Sequence, residues 1–270
     1  GLPWRSRLDA GLTAGTYDAK RDRLLLALGQ ELWMRQGGTW VHRDLATPLG
    51  QEVQALWADG EGRIWLRTPE RLARLASFEA PLEILALPVR LSIVNSVNLG
   101  MDAGGRIWTN TAQGLLWMDG NTSGLIGEGE GLPQGGAVVV RVDRQGTVWI
   151  AGEGAHKLLG EGNWTGFTRR QGLPTDVVWS IARTRDGLLW AGTAAGLACG
   201  DEKGWKVLPR TRANQFMALE EDSDGNLWAG HTTSVERPMA LSVRPKGRLD
   251  LSPVQVPGLP AQGQVSALLA

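Results

Sequence analysis

Cysteine is almost missing from this chain of 270 residues: Cys199 stands alone, so no internal disulfide can form and sulfur chemistry does not reveal the compartment. It reads as a half-buried strand thiol and not as a nucleophile. Histidine is scarce too. His42, His156 and His231 lie far apart, in no His-x-His or Cys/His spacing, so each reads as a surface or turn residue and no metal site is expected. No run approaches 18 consecutive apolar residues, which excludes a spanning helix, and no charged and apolar leader opens the chain. The first residue is Gly and not Met, which predicts a piece of a longer protein. An excess of one charge is lacking as well: 28 Lys+Arg balance 28 Asp+Glu without a long like-charge run, so no nucleic-acid partner is expected. Gly-x-Ser-x-Gly elbow, phosphate loop and dinucleotide fingerprint are all missing, and the paired Glu220 and Glu221 flank a turn, where they read as a solvated bend. We therefore expect no catalytic residues, no metal and no cofactor.

What the chain does have is 13 Trp and 37 Gly against one Tyr and three Phe, a bias that suggests one structural role used many times. The role repeats with a period. Gly-x-(Ile/Val/Leu)-Trp occurs at Gly62 to Trp65, Gly105 to Trp108, Gly146 to Trp149, Gly187 to Trp190 and Gly225 to Trp228. Successive Trp residues are 43, 41, 41 and 38 apart. Asp stands three positions before the Gly in four copies (Asp59, Asp102, Asp143, Asp222), and Thr184 replaces it in the other. A degenerate copy, "DRLLLALGQELW" at 22–33, aligns Leu25 with the Trp and makes six.

A period near 40 with Gly and Pro interrupting every helical pattern leaves short strands as the filling. In the fifth copy "VVWSIAR" (177–183), "LLWAGT" (188–193), "GLACGD" (196–201) and "GWKVLP" (204–209) read as four strands, joined at Asp186-Gly187, Ala195-Gly196 and Lys203-Gly204. Each joint supplies a Gly where positive φ costs little. Four antiparallel strands per unit predict an all-β fold, a β-propeller. A single propeller domain over 1–270 is expected, with blades near 11–49, 50–91, 92–133, 134–174, 175–211 and 212–257, and 258–270 as the first strand of a next blade. Each Trp then fills the wedge between blades, burying roughly 150–250 Å², and the small residues after it (Ala191-Gly192, Ala229-Gly230) let the neighbouring backbone approach. Each Asp closes its turn onto backbone N–H groups. One carboxylate per turn is far too few for Ca²⁺.

These residues resemble the two-component regulator propeller repeat, which runs GLP, V-x-S-I, an acidic turn, then DG-x-LW-(I/V)-GT-x-x-GL. "GLPTDVVWSIARTRDGLLWAGTAAGL" (172–197) follows it almost position by position, and "EDSDGNLWAG" (221–230) follows its second half. Copy one lacks the Trp, while "GRIWLRTPERL" and "GRIWTNTAQGL" lose the Gly before Thr. The resemblance implies the periplasmic, extracytoplasmic sensor of a bacterial membrane receptor. A downstream β-sandwich, a membrane anchor and a kinase or cyclase of the same parent chain would then be its partners, with a homodimer as a further option. It also implies rings of seven blades, of which six plus a first strand would be a truncated form; a closed six-bladed ring is the alternative.

A ligand, an oligosaccharide or other small molecule, would meet first-strand residues and GLP loops at one end of the channel. Aligning the copies puts Gln51, Asp176 and Asn214 at one phase, Asn95 and Gln215 at the next, and Gln54 and Trp179 two positions on. Trp179 breaks the repeat, since Val97, Val138 and Met217 stand in its place elsewhere, and an aromatic at a channel mouth suits stacking on a sugar. The favoured expectation is a sensory, ligand-binding propeller without catalysis. Its rivals are an interaction scaffold and a propeller lyase or glycosidase, the latter needing carboxylates or His from separate copies to meet.

Overall fold

The computed structural model describes residues 11–91, 98–120, 122–133, 139–143, 145–160, 163–234, 239–256, 264–265 and 268. They form an all-β fold in which helix is confined to single turns. Two compact units, Gly1–Leu125 and Ile126–Ala270, carry three four-stranded antiparallel sheets each. In the first unit, sheet one takes β1 (Leu12–Asp18), β2 (Arg23–Leu28), β3 (Glu31–Gln36) and β4 (Thr39–Asp44). Sheet two takes β5 (Ala55–Ala58), β6 (Ile64–Arg67), β7 (Leu72–Leu75) and β8 (Glu83–Ile84). Sheet three takes β9 (Leu99–Met101), β10 (Ile107–Thr111), β11 (Gly114–Asp119) and β12 (Thr122–Ile126).

In the second unit, sheet four takes β13 (Val139–Val142), β14 (Val148–Gly152), β15 (Gly154–Gly160) and β16 (Asn163–Phe167). Sheet five takes β17 (Val178–Arg183), β18 (Leu189–Thr193), β19 (Gly196–Asp201) and β20 (Gly204–Val207), within two residues of the expected bounds. Sheet six takes β21 (Phe216–Glu221), β22 (Leu227–His231), β23 (Leu241–Arg244) and β24 (Ser252–Pro253). Every sheet runs through its strands in chain order. That meander is the blade of a β-propeller, as the repeat predicts.

The first turn of four blades is built the same way. Asp59 Oδ1 accepts from the backbone N–H of Glu61 and Arg63 at 3.0 and 2.9 Å. Asp102, Asp143 and Asp222 repeat both bonds with the residues two and four positions on. The Gly between them takes φ near +90°, from 77° at Gly146 to 94° at Gly62. The expectation of Gly with positive φ also holds at Gly187 and Gly196, at 85° and 122°. It does not hold at Gly204, which is absent from the positive-φ region. There the Asp201 carboxylate accepts from Lys203 N at 2.8 Å and closes the turn without that conformation.

The tryptophans pack as wedges onto the next sheet. Trp65 lies in one cluster with Leu99, Ile107 and Leu116, Trp149 with Val178 and Ile181, and Trp190 with Phe216 and Leu219. Trp149 and Trp190 are completely buried. Strand register confirms the degenerate first copy: Leu25 faces Thr16 as Trp65 faces Trp57, and Leu25 is fully buried in the Trp place. Cys199 on β19 is buried more deeply than expected, at 7% exposure, and burial holds its thiol above its ordinary pKa.

Close approach of neighbouring backbones rests on two glycines. A Cβ on Gly192 would stand 2.3 Å from Ser180 Oγ and 2.6 Å from Phe216 O, on the first strand of the next sheet. On Gly230 it would stand 2.5 Å from Val265 O. Gln264 bridges Thr232 in antiparallel fashion, so 264–265 meet β22 where Phe216 meets β18. Neither glycine has positive φ, so space alone is at issue. Gly192→Ala should cost about 1–3 kcal/mol by overpacking, read from the urea midpoint. Gly187→Ala, with nothing near its Cβ, should instead cost only the strain of its positive φ.

Candidate functional site

The first strand of each blade has two ends with different chemistry. At its start lie the loops that lead into it, and at its finish the Asp turns.

At the turn end, the second Asp oxygen has a use that the sequence reading missed. Trp65 Nε1 donates to Asp59 Oδ2 at 3.0 Å, and Trp108, Trp149 and Trp228 donate to Asp102, Asp143 and Asp222 at 2.8, 3.0 and 2.8 Å. The fixed separation of six residues was the available signal. In sheet five Thr184 Oγ1 accepts from Trp190 Nε1 at 3.0 Å and itself donates to Asp186 Oδ1 at 2.5 Å. Asp186 then receives Arg244 Nη2 at 2.7 Å, so a carboxylate one step removed replaces the missing one.

The ends of β13, β17 and β21 line a cleft of about 70 Å³ that holds Arg141, Asp143, Arg183, Glu220 and Glu221. Its charges are already spent on one another. Arg183 Nε meets Asp143 Oδ2 at 2.8 Å, Arg141 Nη1 stands 3.8 Å from Glu220 Oε2, and Arg185 N donates to Glu221 Oε1 at 2.8 Å. Asp143 accepts from Gln145 N, Thr147 N, Trp149 Nε1 and Arg183 Nε, which uses the acceptor capacity of a carboxylate. It orders the turn with that capacity.

At the loop end lie the residues expected to meet a ligand. Gln51 Oε1 accepts from Thr68 Oγ1 and Glu70 N, both at 3.2 Å, and so braces the turn between β6 and β7. Asn214 is 1% exposed, with Nδ2 on Thr232 O at 2.5 Å and Oδ1 receiving Ser234 Oγ at 3.2 Å. Asp176 accepts from Arg169 N at 2.7 Å and Arg169 Nε at 3.1 Å; that N–H, aided by the guanidinium, holds its carboxyl below the usual range. These three share a phase, and each ties down a loop. Gln215 is exposed, with its backbone paired to Thr232, and Gln54 is half-buried, its N–H on Arg67 O at 2.7 Å. Asn95 lies outside the described residues.

Trp179 is placed differently. β17 skips register between Val178 and Ser180, leaving Trp179 as the extra residue of a β-bulge. β21 skips between Phe216 and Ala218 and leaves Met217 there, as the alignment of copies implies. A bulge turns a side chain out of the ladder. Trp179 stays half-buried, and its Nε1 has no hydrogen-bond partner among the described residues.

One of the histidines departs from the expectation of a surface or turn residue, and His42 agrees with it. His231 is no surface or turn residue: it is fully buried on β22, with Nε2 2.8 Å from Ser242 Oγ and Nδ1 2.9 Å from Thr232 O. His42 is exposed on strand β4, stacked on Trp33 at 4.5 Å. Among the described residues no three His, Cys, Asp or Glu gather as a metal site, and no helix is long and apolar enough to cross a membrane.

The class these features define is a β-propeller whose blades are locked by an Asp–indole turn. Residues 172–195 and 212–233 match the family model of the two-component regulator propeller. No curated protein is similar to it in sequence. Among solved structures it is similar to virginiamycin B lyase from Staphylococcus aureus, with 14% identity and a TM-score of 0.70 over 92% of this chain and 86% of that one. It is also similar to the extracellular domain of BT3049 from B. thetaiotaomicron, assigned to a hybrid two-component system. There identity is 20% and TM-score 0.63, over 86% of this chain and 32% of that one. For the corresponding domain of BT4673 the values are 14% and 0.68, over 95% and 37%. The chain thus spans about a third of these two domains, and the likeness shows the shared fold.

Burial alone would raise the Asp222 carboxyl, but the Trp228 indole, Asn226 and the turn N–H groups outweigh it and lower its pKa; the same holds at Asp59 with Trp65 and Arg63. A lowered folded-state value means that the stabilisation is complete above the ordinary carboxylate range, near 4, and is lost as pH falls through the folded value. In urea titrations Asp222→Asn should therefore be less stable than the parent by a constant margin from about pH 7 to 5, and the margin should close below about pH 4. A margin independent of pH would show that the charge of Asp222 plays no part.

Proposed function

We propose that this chain is the sensory, ligand-binding propeller of a bacterial transmembrane signalling protein, lies outside the cytoplasm, and is not itself a catalyst. Binding at the loop end would bias how the propeller packs on the following β-sandwich, and membrane-anchored kinase or cyclase domains beyond this chain would read the shift. Such a shift requires different affinity for the two packing states. The family repeat supports the sensor class, as does the shared fold with extracellular domains assigned to two-component systems. The observation that carries the ligand end is Trp179, a half-buried indole turned out by a bulge, inside the matched repeat that also holds Asp176. Asn214 and Gln215 complete the proposed mouth in the second unit, Gln51 and Gln54 hold the same phases in the first, and an oligosaccharide is the ligand class. Because Asn214 already braces a loop, it would shape the mouth, and Trp179 and Gln215 would touch the ligand.

One observation favours a second reading, a lyase: the fold shared with virginiamycin B lyase, together with Glu220 and Glu221 beside the cleft. The saturated state of Asp143 weighs against it.

Calorimetric titration with an oligosaccharide panel should find a binder whose affinity drops about five- to tenfold in Trp179→Ala, as expected for loss of one aromatic contact worth roughly 1–1.5 kcal/mol. The variant should keep its melting temperature to within about 3 °C, because the ring is only half-buried. Equal binding by both proteins would move the site elsewhere. Turnover of a panel member, abolished by Glu221→Gln, would replace the sensor reading with the enzyme.

A further inference from the structure

Arg67 ends β6 at the place that glycine takes in other blades. It pairs with Ala55 as Gly192 pairs with Ser180 and Gly230 with Ala218. Where Gly192 admits the backbone of the next strand, Arg67 inserts a long cation. The side chain is completely buried. Nη1 donates to Thr109 Oγ1 at 2.5 Å and to the carbonyl oxygen of Asn110. Thr109 Oγ1 in turn donates to Asn98 O at 2.6 Å, so the hydroxyl accepts from one side and donates to the other. Among the described residues Nε and Nη2 have no hydrogen-bond partner, and no carboxylate pairs with the guanidinium.

The two free nitrogens are not an arbitrary pair. Nε–H and the adjacent Nη2–H point the same way and form the side fork of the guanidinium, whose spacing matches two oxygens of one carboxylate. A buried cation without a counter-charge is strongly unfavourable, and a bidentate anion would remove that penalty. Its surroundings are polar: Thr68, Thr109 and Asn110 are all fully buried beside it in sequence or in space. Every other deeply buried arginine among the described residues has a carboxylate. Arg23 pairs with Asp18 at 2.8 Å and Arg244 with Asp186 at 2.7 Å.

We infer that Arg67 is the anchor of an anion site within the first unit, which takes a small oxyanion with two coplanar oxygens, a carboxylate, on Nε and Nη2. Thr109 and Asn110 hold the opposite edge of the guanidinium, so the fork is set before the anion arrives. Burial pulls the guanidinium down to about 10, which still leaves it charged at neutral pH. The complete burial of Arg67 restricts the occupant to something of the size of acetate. Trp179 and Asp176 contribute nothing to this site, and Gln54 meets Arg67 only through its backbone N–H on the Arg67 carbonyl oxygen.

The test uses the chain as it stands, with sodium acetate against sodium chloride at equal ionic strength. Acetate at ten times its dissociation constant should raise the melting temperature by about 3–5 °C. Arg67→Gly, the residue the repeat itself uses, should fold and show no acetate-specific rise, and Arg67→Lys, which keeps the charge but loses the fork, should show little. In arginine-labelled wild-type protein, one Nε–H resonance, absent from Arg67→Lys, should move saturably with acetate, a readout that needs no folded glycine variant. An unmoved resonance, or an equal temperature rise in Arg67→Gly, would overturn the site. Sulfate acting as well as acetate would overturn the preference for two coplanar oxygens.

Discussion

The hydrogen bond from an indole N–H to an aspartate six residues earlier is the constraint on which the blades depend. One carboxylate does two tasks in it: Oδ1 gathers two backbone N–H groups and fixes the hairpin, while Oδ2 satisfies the only polar atom of a ring that is otherwise buried. An indole buried without that bond would carry the desolvation cost of an unpaired donor. A turn without it would leave the ring free to choose another rotamer. Joining the two means that forming the turn places the wedge, and the wedge then positions the following sheet.

The sites where this device is altered show what it supplies. In sheet one a leucine, Leu25, fills the wedge and offers no N–H; Asp18 Oδ2 takes Arg23 Nε instead, and Arg23 Nη2 reaches on to Gly62 O at 2.6 Å in the next turn. In sheet five threonine, Thr184, passes the indole bond to Asp186, which Arg244 of sheet six neutralises. Arg183 of sheet five likewise joins Asp143 of sheet four. Within each unit arginine therefore links one turn to the next, and several of these cations also stand over the Trp faces, with Arg244 5.0 Å from the Trp190 ring centre and Arg183 6.0 Å from that of Trp149. At the turn end of these strands charges are consequently paired with one another.

Much of this was legible because a repeat averages out local ambiguity. The period, the four strands, the Trp wedge and the degenerate Leu25 copy all follow from pattern alone, and strand register bears them out. The phase of Trp179 and Met217 was legible too, although the bulge that gives the phase its meaning was not, because a bulge is a property of pairing between two strands. Gln51 and Asn214 looked like ligand residues for the reason that they are loop braces: an amide at a strand entrance serves either end equally well, and only its partners decide. His231 was misread because the sequence places it one step past "WAG", where sheet five has Thr193. Both positions are buried hydrogen-bonding sites, one filled by a hydroxyl and one by an imidazole.

The residue two positions after each Trp decides how blades meet. Glycine at 192 and 230 admits a neighbouring backbone to a distance that no Cβ would tolerate. Ala151 keeps the position small, and Asn110 there uses its side-chain oxygen to receive Asn98 N of its own sheet at 3.2 Å. Arg67 goes furthest and puts a charge where other blades put empty space. Size and polarity at one repeated position thus differ from sheet to sheet, from glycine to a hydrogen-bonding amide to a buried cation. Since the framework around that position is held by the Asp–indole turn, its residue can vary without loss of the blade, and this freedom is what allows a structural repeat to acquire a site at one copy only.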